Sequence, residues 1–290
     1  MTEPDAGRDG RDALQTTASS LRIVDHILER GGASLAELVE STGLAKSTVH
    51  SHLSTLAAYG YVVNEDNRYH LGAKFCHLGD YVRTRKEYHR IAEETIARLS
   101  EESTMEVDFA IEEHGRIISL YGNLDFSSIP RFLIDGSPFH VHTTASGKAI
   151  VAHYDPERVR AIIDRWGLPA ATDRSITTEE ELFEELERVR EQGFAENRGE
   201  AIEGFWAVGK AVRSPRGEVY GSLNLSGPEY LVDEETRATQ VELLERAVEQ
   251  FEEEIAAQYQ APSSSERDRE RGPERERGQD QERDGGEGIE

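Results

Sequence analysis

Cysteine occurs once, at Cys76, and lysine only five times in 290 residues. A single thiol excludes a disulfide framework and every cysteine-cluster metal site. No apolar run approaches the roughly 18 residues that a membrane helix needs, so a soluble protein with no membrane partner is expected. The opening MTEPDAGRDGRD lacks the basic start and hydrophobic centre of a secretory signal, which points to a cytoplasmic location. Aromatic residues make up 7% of the chain.

Acid is what the sequence has in excess: 57 Asp and Glu against 33 Lys and Arg, a formal charge of −24. Acid-rich, lysine-poor surfaces stay soluble in a cytoplasm of very high salt, and the composition suggests a halophilic archaeon. The charge is unevenly placed. Residues 21–100 carry ten basic and ten acidic side chains, whereas residues 101–260 carry a net −18. The acidity therefore avoids one end of the chain, where a polyanion could be met. Counterion release weakens phosphate contacts steeply as salt rises, so a DNA binder in molar salt would lean on base contacts, shape and dimerisation.

That neutral end holds the most informative stretch, residues 34–71. Ser34 and Glu37 have capping-box spacing, Leu35, Leu38 and Val39 form an apolar stripe, and Thr42-Gly43 stops the helix. A second helix is expected from about Ala45 to Tyr59, with Val49, Leu53, Leu56 and Ala57 facing the core. Lys46, Ser47, Thr48, His50 and Ser51, with His52 as a further candidate, are left outward. Tyr61-Val62-Val63, the turn Asn64 to Asn67 and Arg68 to Leu71 read as a hairpin with Arg68 beside its tip. Helix pair, polar helix face and wing in this order predict a winged helix-turn-helix, in which the second helix enters the major groove and Arg68 tracks phosphate or reaches the minor groove.

An amphipathic helix of Leu21, Val24, Ile27 and Leu28, ended by Gly31-Gly32, supplies the third helix of this unit. The expected organisation is a disordered tail over 1–16, the winged helix over 17–73, and a linker helix over 74–100 breaking at Gly79. An α+β domain with a mostly antiparallel sheet follows over 101–259, then a disordered acidic tail over 260–290. Within the α+β domain, hairpin strands are read around Val107 to Ile111 and Ile117 to Tyr121, and a strand from Ser137 to His142. Helices are read over 145–154, 156–166 and 178–192, then strands over 194–197, 205–212 and 218–225, and a last helix capped by Asp233.

Catalytic chemistry is hard to find. Ser146-Gly147-Lys148 lacks the glycine and the hydroxyl residue of a phosphate loop, having His142 and Ala149 in those places. His140 and His142 share a strand face, yet nothing nearby completes a metal shell. No catalytic residue, metal ligand or cofactor is assigned. Phe205, Ala207, Gly209 and Ala211 share one strand face and Asn224 and Ser226 one face of the next, which makes either a cup for a ligand or a close-packed sheet.

The segments GLAKSTVHSHLSTLAAYGYV and RYHLG resemble the DNA-binding domain of the isocitrate lyase regulator (IclR) family of transcription factors. HTTASGKAIVAH, EQGFAENRGEAIEG and SLNLSGP look like three landmarks of that family's effector-binding domain. The resemblance implies a homodimeric or tetrameric regulator on a palindromic double-stranded operator, with a GAF-like domain that senses a small organic metabolite. It places the effector contacts on Ala145, Ser146, Asn197, Ala207, Asn224 and Ser226. Asn197, Ala207 and Asn224 depart from the aspartate, cysteine and serine common there, and Ser51 replaces a usual arginine. A ligand of sugar or organic-acid catabolism is expected from the uncharged amide and hydroxyl groups. The alternative is a constitutive or architectural DNA binder whose second domain only oligomerises.

Overall fold

The Ser34 hydroxyl accepts from the Glu37 backbone N–H at 3.3 Å while the Glu37 carboxylate accepts from the Ser34 N–H at 2.6 Å, a reciprocal capping box that starts helix α2 (Leu35–Thr42). Gly43, at φ 66°, closes it. The structure, a computed structural model, describes residues 14–122 and 138–260, without the side chains of 258–260. Most of both expected tails, and Ser137, lie outside the described residues.

Helix α1 (Gln15–Glu29), α2 and α3 (Lys46–Ala58) pack Ile23, Ile27, Leu38, Val49 and Leu53 into one small core, closed by Val62 of a hairpin. The hairpin pairs β1 (Val62–Glu65) with β2 (Arg68–Leu71) around Asp66 and Asn67, both in the left-handed region that a two-residue turn requires. The N-terminal region is thus helical with a wing, as expected. Three details differ. Helix α1 begins at Gln15, inside the segment expected to be a tail, and buries Ser19, Ile23 and Ile27 while Leu21 and Leu28 face outward. In α3 the place expected for Ala57 on the core face is taken by His52, which is buried against α1 with its Nδ1 2.8 Å from the Ser20 hydroxyl. An imidazole can line a core when a neighbouring hydroxyl satisfies it.

The linker comprises two helices, α4 (Lys74–Thr84) and α5 (Glu87–Glu102). The break falls at Arg85-Lys86 and not at Gly79, which stays helical within α4. A helical glycine costs only about 1 kcal/mol relative to alanine. What stops α4 is tertiary: the Arg83 carbonyl accepts from the Tyr121 hydroxyl at 2.8 Å and lies 3.0 Å from His89 Nδ1.

The rest is a six-stranded antiparallel sheet and its helices. Strands β3 (Glu106–Glu113), β4 (Arg116–Gly122), β5 (Phe139–His140), β6 (Ala195–Arg198), β7 (Phe205–Arg213) and β8 (Val219–Pro228) lie in the order β5-β4-β3-β8-β7-β6. Helix α5 and the C-terminal α9 (Glu234–Gln260) cover one face, burying Phe109, Trp206 and Phe251. Helices α6 (Ala145–Val151), α7 (Pro156–Trp166) and α8 (Glu179–Gln192) cover the other around Ile150, Val159 and Leu186. Each large side chain so buried contributes about 2–3 kcal/mol. Among the described residues, the strand expected up to His142 spans only Phe139–His140, because the Thr143 hydroxyl and N–H both turn back to the His140 carbonyl. No helix among the described residues is long and apolar enough to cross a membrane.

Candidate functional site

Helix α3 contains no acidic residue. Lys46, Ser47, Thr48, His50 and Ser51 are exposed on it, side by side over its first two turns. Two of its outward hydroxyls are occupied within the helix: Ser51 donates to the Ser47 carbonyl and Thr55 to the Ser51 carbonyl, each at 2.9 Å. The surface that remains is small side chains, one ammonium and one imidazole, which a groove lined by base edges can approach closely. Arg68 is half-exposed at the start of β2, but its guanidinium donates to the Gly32 carbonyl at 2.7 Å and to Glu37 at 3.3 Å. In the free protein it braces the wing against the α1–α2 loop.

The second set of residues converges where the N-terminus of α6 meets the sheet. Antiparallel register puts Asn197, Ala207, Ser226 and Glu106 in one row across β6, β7, β8 and β3, with Gly209, Asn224 and Asp108 in the row behind. The first row holds the half-buried Ala207 and Ser226. The second row is packed shut. A Cβ on Gly209 would lie 2.5 Å from the Asn224 side-chain oxygen and 3.0 Å from the Ala145 backbone, so only glycine lets α6 sit this close.

Two of the expected contacts turn out to be internally committed. Asn224 is buried, with its amide nitrogen donating to Asp108 and to the Ser222 carbonyl at 3.1 Å and its oxygen accepting from the Ser222 hydroxyl at 2.8 Å. Asn197 donates to the Thr143 carbonyl at 2.7 Å and accepts from the Glu200 N–H at 2.9 Å, tying the turn before α6 to the loop after β6. Ala145 and Ser146 form the first turn of α6, where backbone N–H groups have no intrahelical partner, and Thr144 caps it by accepting from the Gly147 N–H.

Two features escaped the sequence reading. Glu106 and Asp108 share the face of Ser226 and Asn224, which the alternation of Val107, Phe109 and Ile111 already implied. Lys148 of α6 is fully buried, with its ammonium 2.8 Å from Glu200 and 3.1 Å from Glu185 of α8. Burial pushes the Glu200 carboxyl up, and the Lys148 charge pulls it back. A pair this deep costs desolvation that only good geometry offsets, and here it locks α6, α8 and the Asn197 loop together. His140 is no ligand in waiting: its Nε2 accepts from Arg116 at 2.7 Å, and burial followed by the Arg116 charge lowers it to about 4. The basic linker side chains are also engaged, Arg83 with Asp80, Arg85 with Glu113 and Arg90 with Glu94.

Residues 18–66 match the IclR helix-turn-helix domain, and residues 82–253 match the family described as bacterial transcriptional regulator IclR C-terminal. Among curated proteins the chain is 29% identical over 231 residues to the "Probable HTH-type transcriptional regulator ArcR" of Halobacterium salinarum, covering 78% of this chain and 88% of that one. Among solved structures it is similar to IclR of Thermotoga maritima, with a TM-score of 0.69, 23% identity and coverage of 84% and 100%. It is also similar to an IclR homolog complexed with 4-hydroxybenzoate from Microbacterium hydrocarbonoxydans, with a TM-score of 0.70, 19% identity and coverage of 83% and 99%.

Proposed function

The chain belongs to the IclR family of transcriptional regulators, and from that premise we propose which of its residues read DNA and which sense a metabolite. It is a DNA-binding, ligand-responsive transcription factor with a winged helix-turn-helix at one end and a sensor domain at the other. The observation that carries the assignment is the acid-free, exposed face of α3 in a protein of net charge −24. Lys46, Ser47, Thr48, His50 and Ser51 enter the major groove of a palindromic operator. Arg68 sets the wing beside the backbone and exchanges its Glu37 contact for phosphate when DNA arrives.

The effector occupies the half-open first row of the cup, against Ala207 and Ser226 and beneath the first turn of α6 at Ala145 and Ser146. Asn197 at the edge of the same row and Asn224 in the row behind shape this cup. The sensor, GAF-like and spanning about residues 101–259, takes a polyhydroxylated or keto-acid metabolite. The Microbacterium structure holds an aromatic acid, and that ligand class belongs in the same screen. A homodimer or tetramer brings two winged helices to the two half-sites. The salt-adapted composition and the likeness to a Halobacterium protein support a halophilic archaeal source.

Fluorescence anisotropy on DNA from upstream of the gene, in concentrated KCl with and without a metabolite panel, tests this reading. Specific binding that one compound shifts is the expected result, with Ser226→Ala keeping the DNA affinity and losing the shift. Binding that no compound moves would instead indicate the constitutive binder.

A further inference from the structure

Helix α4 joins the winged helix to the sensor domain, and it is held at its two ends. No residue of α4 is buried. At its start, Phe75 packs edge-on against Tyr61 at 5.4 Å, and the Lys74 ammonium donates to the Tyr59 carbonyl at 3.1 Å and lies over the Tyr61 ring, which fastens α4 to the DNA-binding unit. At its other end the contact is a single backbone atom. The Arg83 carbonyl, in the last turn where carbonyls lack intrahelical partners, accepts from the Tyr121 hydroxyl of β4 at 2.8 Å and from His89 Nδ1 of α5 at 3.0 Å.

His89 is fully buried. A carbonyl only accepts, so Nδ1 carries the proton, and Nε2 is left buried without a hydrogen-bond partner among the described residues. A phenyl ring would fill this space without that cost, so what the imidazole adds is its bond to the end of α4. Other contacts at the break hold less. Tyr88 stacks on Tyr220 of β8 at 4.2 Å, which seats α5 and not α4. Arg85 meets Glu113 at 2.9 Å, but each side chain is 38% exposed, and exposed charges are screened within about 3 Å in molar salt. The two hydrogen bonds on the Arg83 carbonyl remain. Eleven residues make α4 a lever of about 16 Å, so a swing of about 20° at this joint moves the far end by about 6 Å, more than one base-pair step of DNA.

We propose that His89 and Tyr121 are positioning residues: by meeting on the Arg83 carbonyl they fix the angle between α4 and the sensor domain, and with it the half-site spacing that the dimer accepts. The spacing rests on the regulator reading above, whereas the angle does not.

Two measurements on the full-length protein test this, each comparing the parent with the near-isosteric His89→Phe/Tyr121→Phe. Nitroxide labels on Cys76 of α4, the only cysteine, and on Glu184→Cys, exposed on α8, report the angle by pulsed electron paramagnetic resonance, with excess unlabelled protein diluting pairs between subunits. One narrow distance is expected while both residues are in place, and a broadened or shifted one in the variant. An unchanged distribution would overturn the proposal, whereas a mere loss of stability would leave the native distance where it was. Anisotropy in concentrated KCl, on palindromic DNA whose half-sites are moved by one or two base pairs, reads the spacing. The parent is expected to lose at least about tenfold in affinity on the wrong spacing, the variant to bind all spacings within about threefold, and both to bind an isolated half-site equally. A parent indifferent to spacing, or a variant that keeps the parent's preference, would remove the spacing role. Tyr121→Phe alone, which deletes one hydroxyl, should show the same loss in smaller degree and serves if the double variant folds poorly. If the parent binds no DNA, the regulator reading fails and the label distances alone decide on the joint.

Discussion

Gly147 shows how one atom fixes the position of the cup. A Cβ there would lie 2.2 Å from the Val141 carbonyl oxygen, a backbone atom that cannot swing away. Gly147→Ala is expected to cost about 3 kcal/mol, the upper end for overpacking, measurable by urea denaturation as a lowered midpoint with unchanged slope. His140 is expected to contribute to acid sensitivity. Its ordinary value is 6.5 and the fold holds it at about 4, so as pH falls below 6.5 the unfolded chain takes up a proton that the native state refuses. Burial pushes His89 and His142 the same way. The stability His140 contributes is complete above 6.5 and declines toward about 4, and His140→Gln should flatten part of that decline in melting curves recorded across the window. The Asn224 amide is bonded to Asp108 and Ser222 without any ligand, so Asn224→Ala is expected to lower the melting temperature whether or not an effector is present.

Helix α1 keeps two faces. One packs into the small core, and the other carries Leu21 and Leu28 at 59% and 65% exposure, seven residues apart, with Leu14 at 75% exposure at the N-cap. Spacing of seven aligns side chains into a seam for a partner helix. Helix α4 has no buried residue and exposes Tyr81 with Leu78 and Val82 partly so. We expect these two faces to meet their copies in the dimer. Leu21→Glu/Leu28→Glu should shift the species seen by light scattering toward smaller assemblies and weaken operator binding by at least about tenfold, since two linked half-site contacts become one. Helix boundaries at this scale were legible from local signals: Ser34, Gly43, Thr178 and Asp233 all stand at the ends where capping chemistry put them. The linker break was not, because the partners of the Arg83 carbonyl, Tyr121 and His89, are brought by the sheet and by α5.

For the molecule as a whole the net charge of −24 sets the conditions of stability. Like-charge repulsion is screened within about 3 Å at molar salt against 10 Å at a tenth of that, so the melting temperature should rise by more than about 10 °C between dilute and 2 M KCl. A flat profile would argue against salt adaptation. The sequence by itself determined the order of elements, the winged helix, the antiparallel character of the sheet and the outward set on α3. Periodicity, caps and turn residues act between neighbours a few positions apart, and such effects are written in the chain. Only the tertiary structure decided that His52 turns inward to Ser20, that Asn197 bonds to the Thr143 carbonyl and Asn224 to Ser222, and that Arg68 is held by Gly32 and Glu37. It also decided that Lys148 is buried between two carboxylates from distant segments. Each of these depends on which groups meet across the fold, and a buried polar atom takes its partner wherever the packing supplies one.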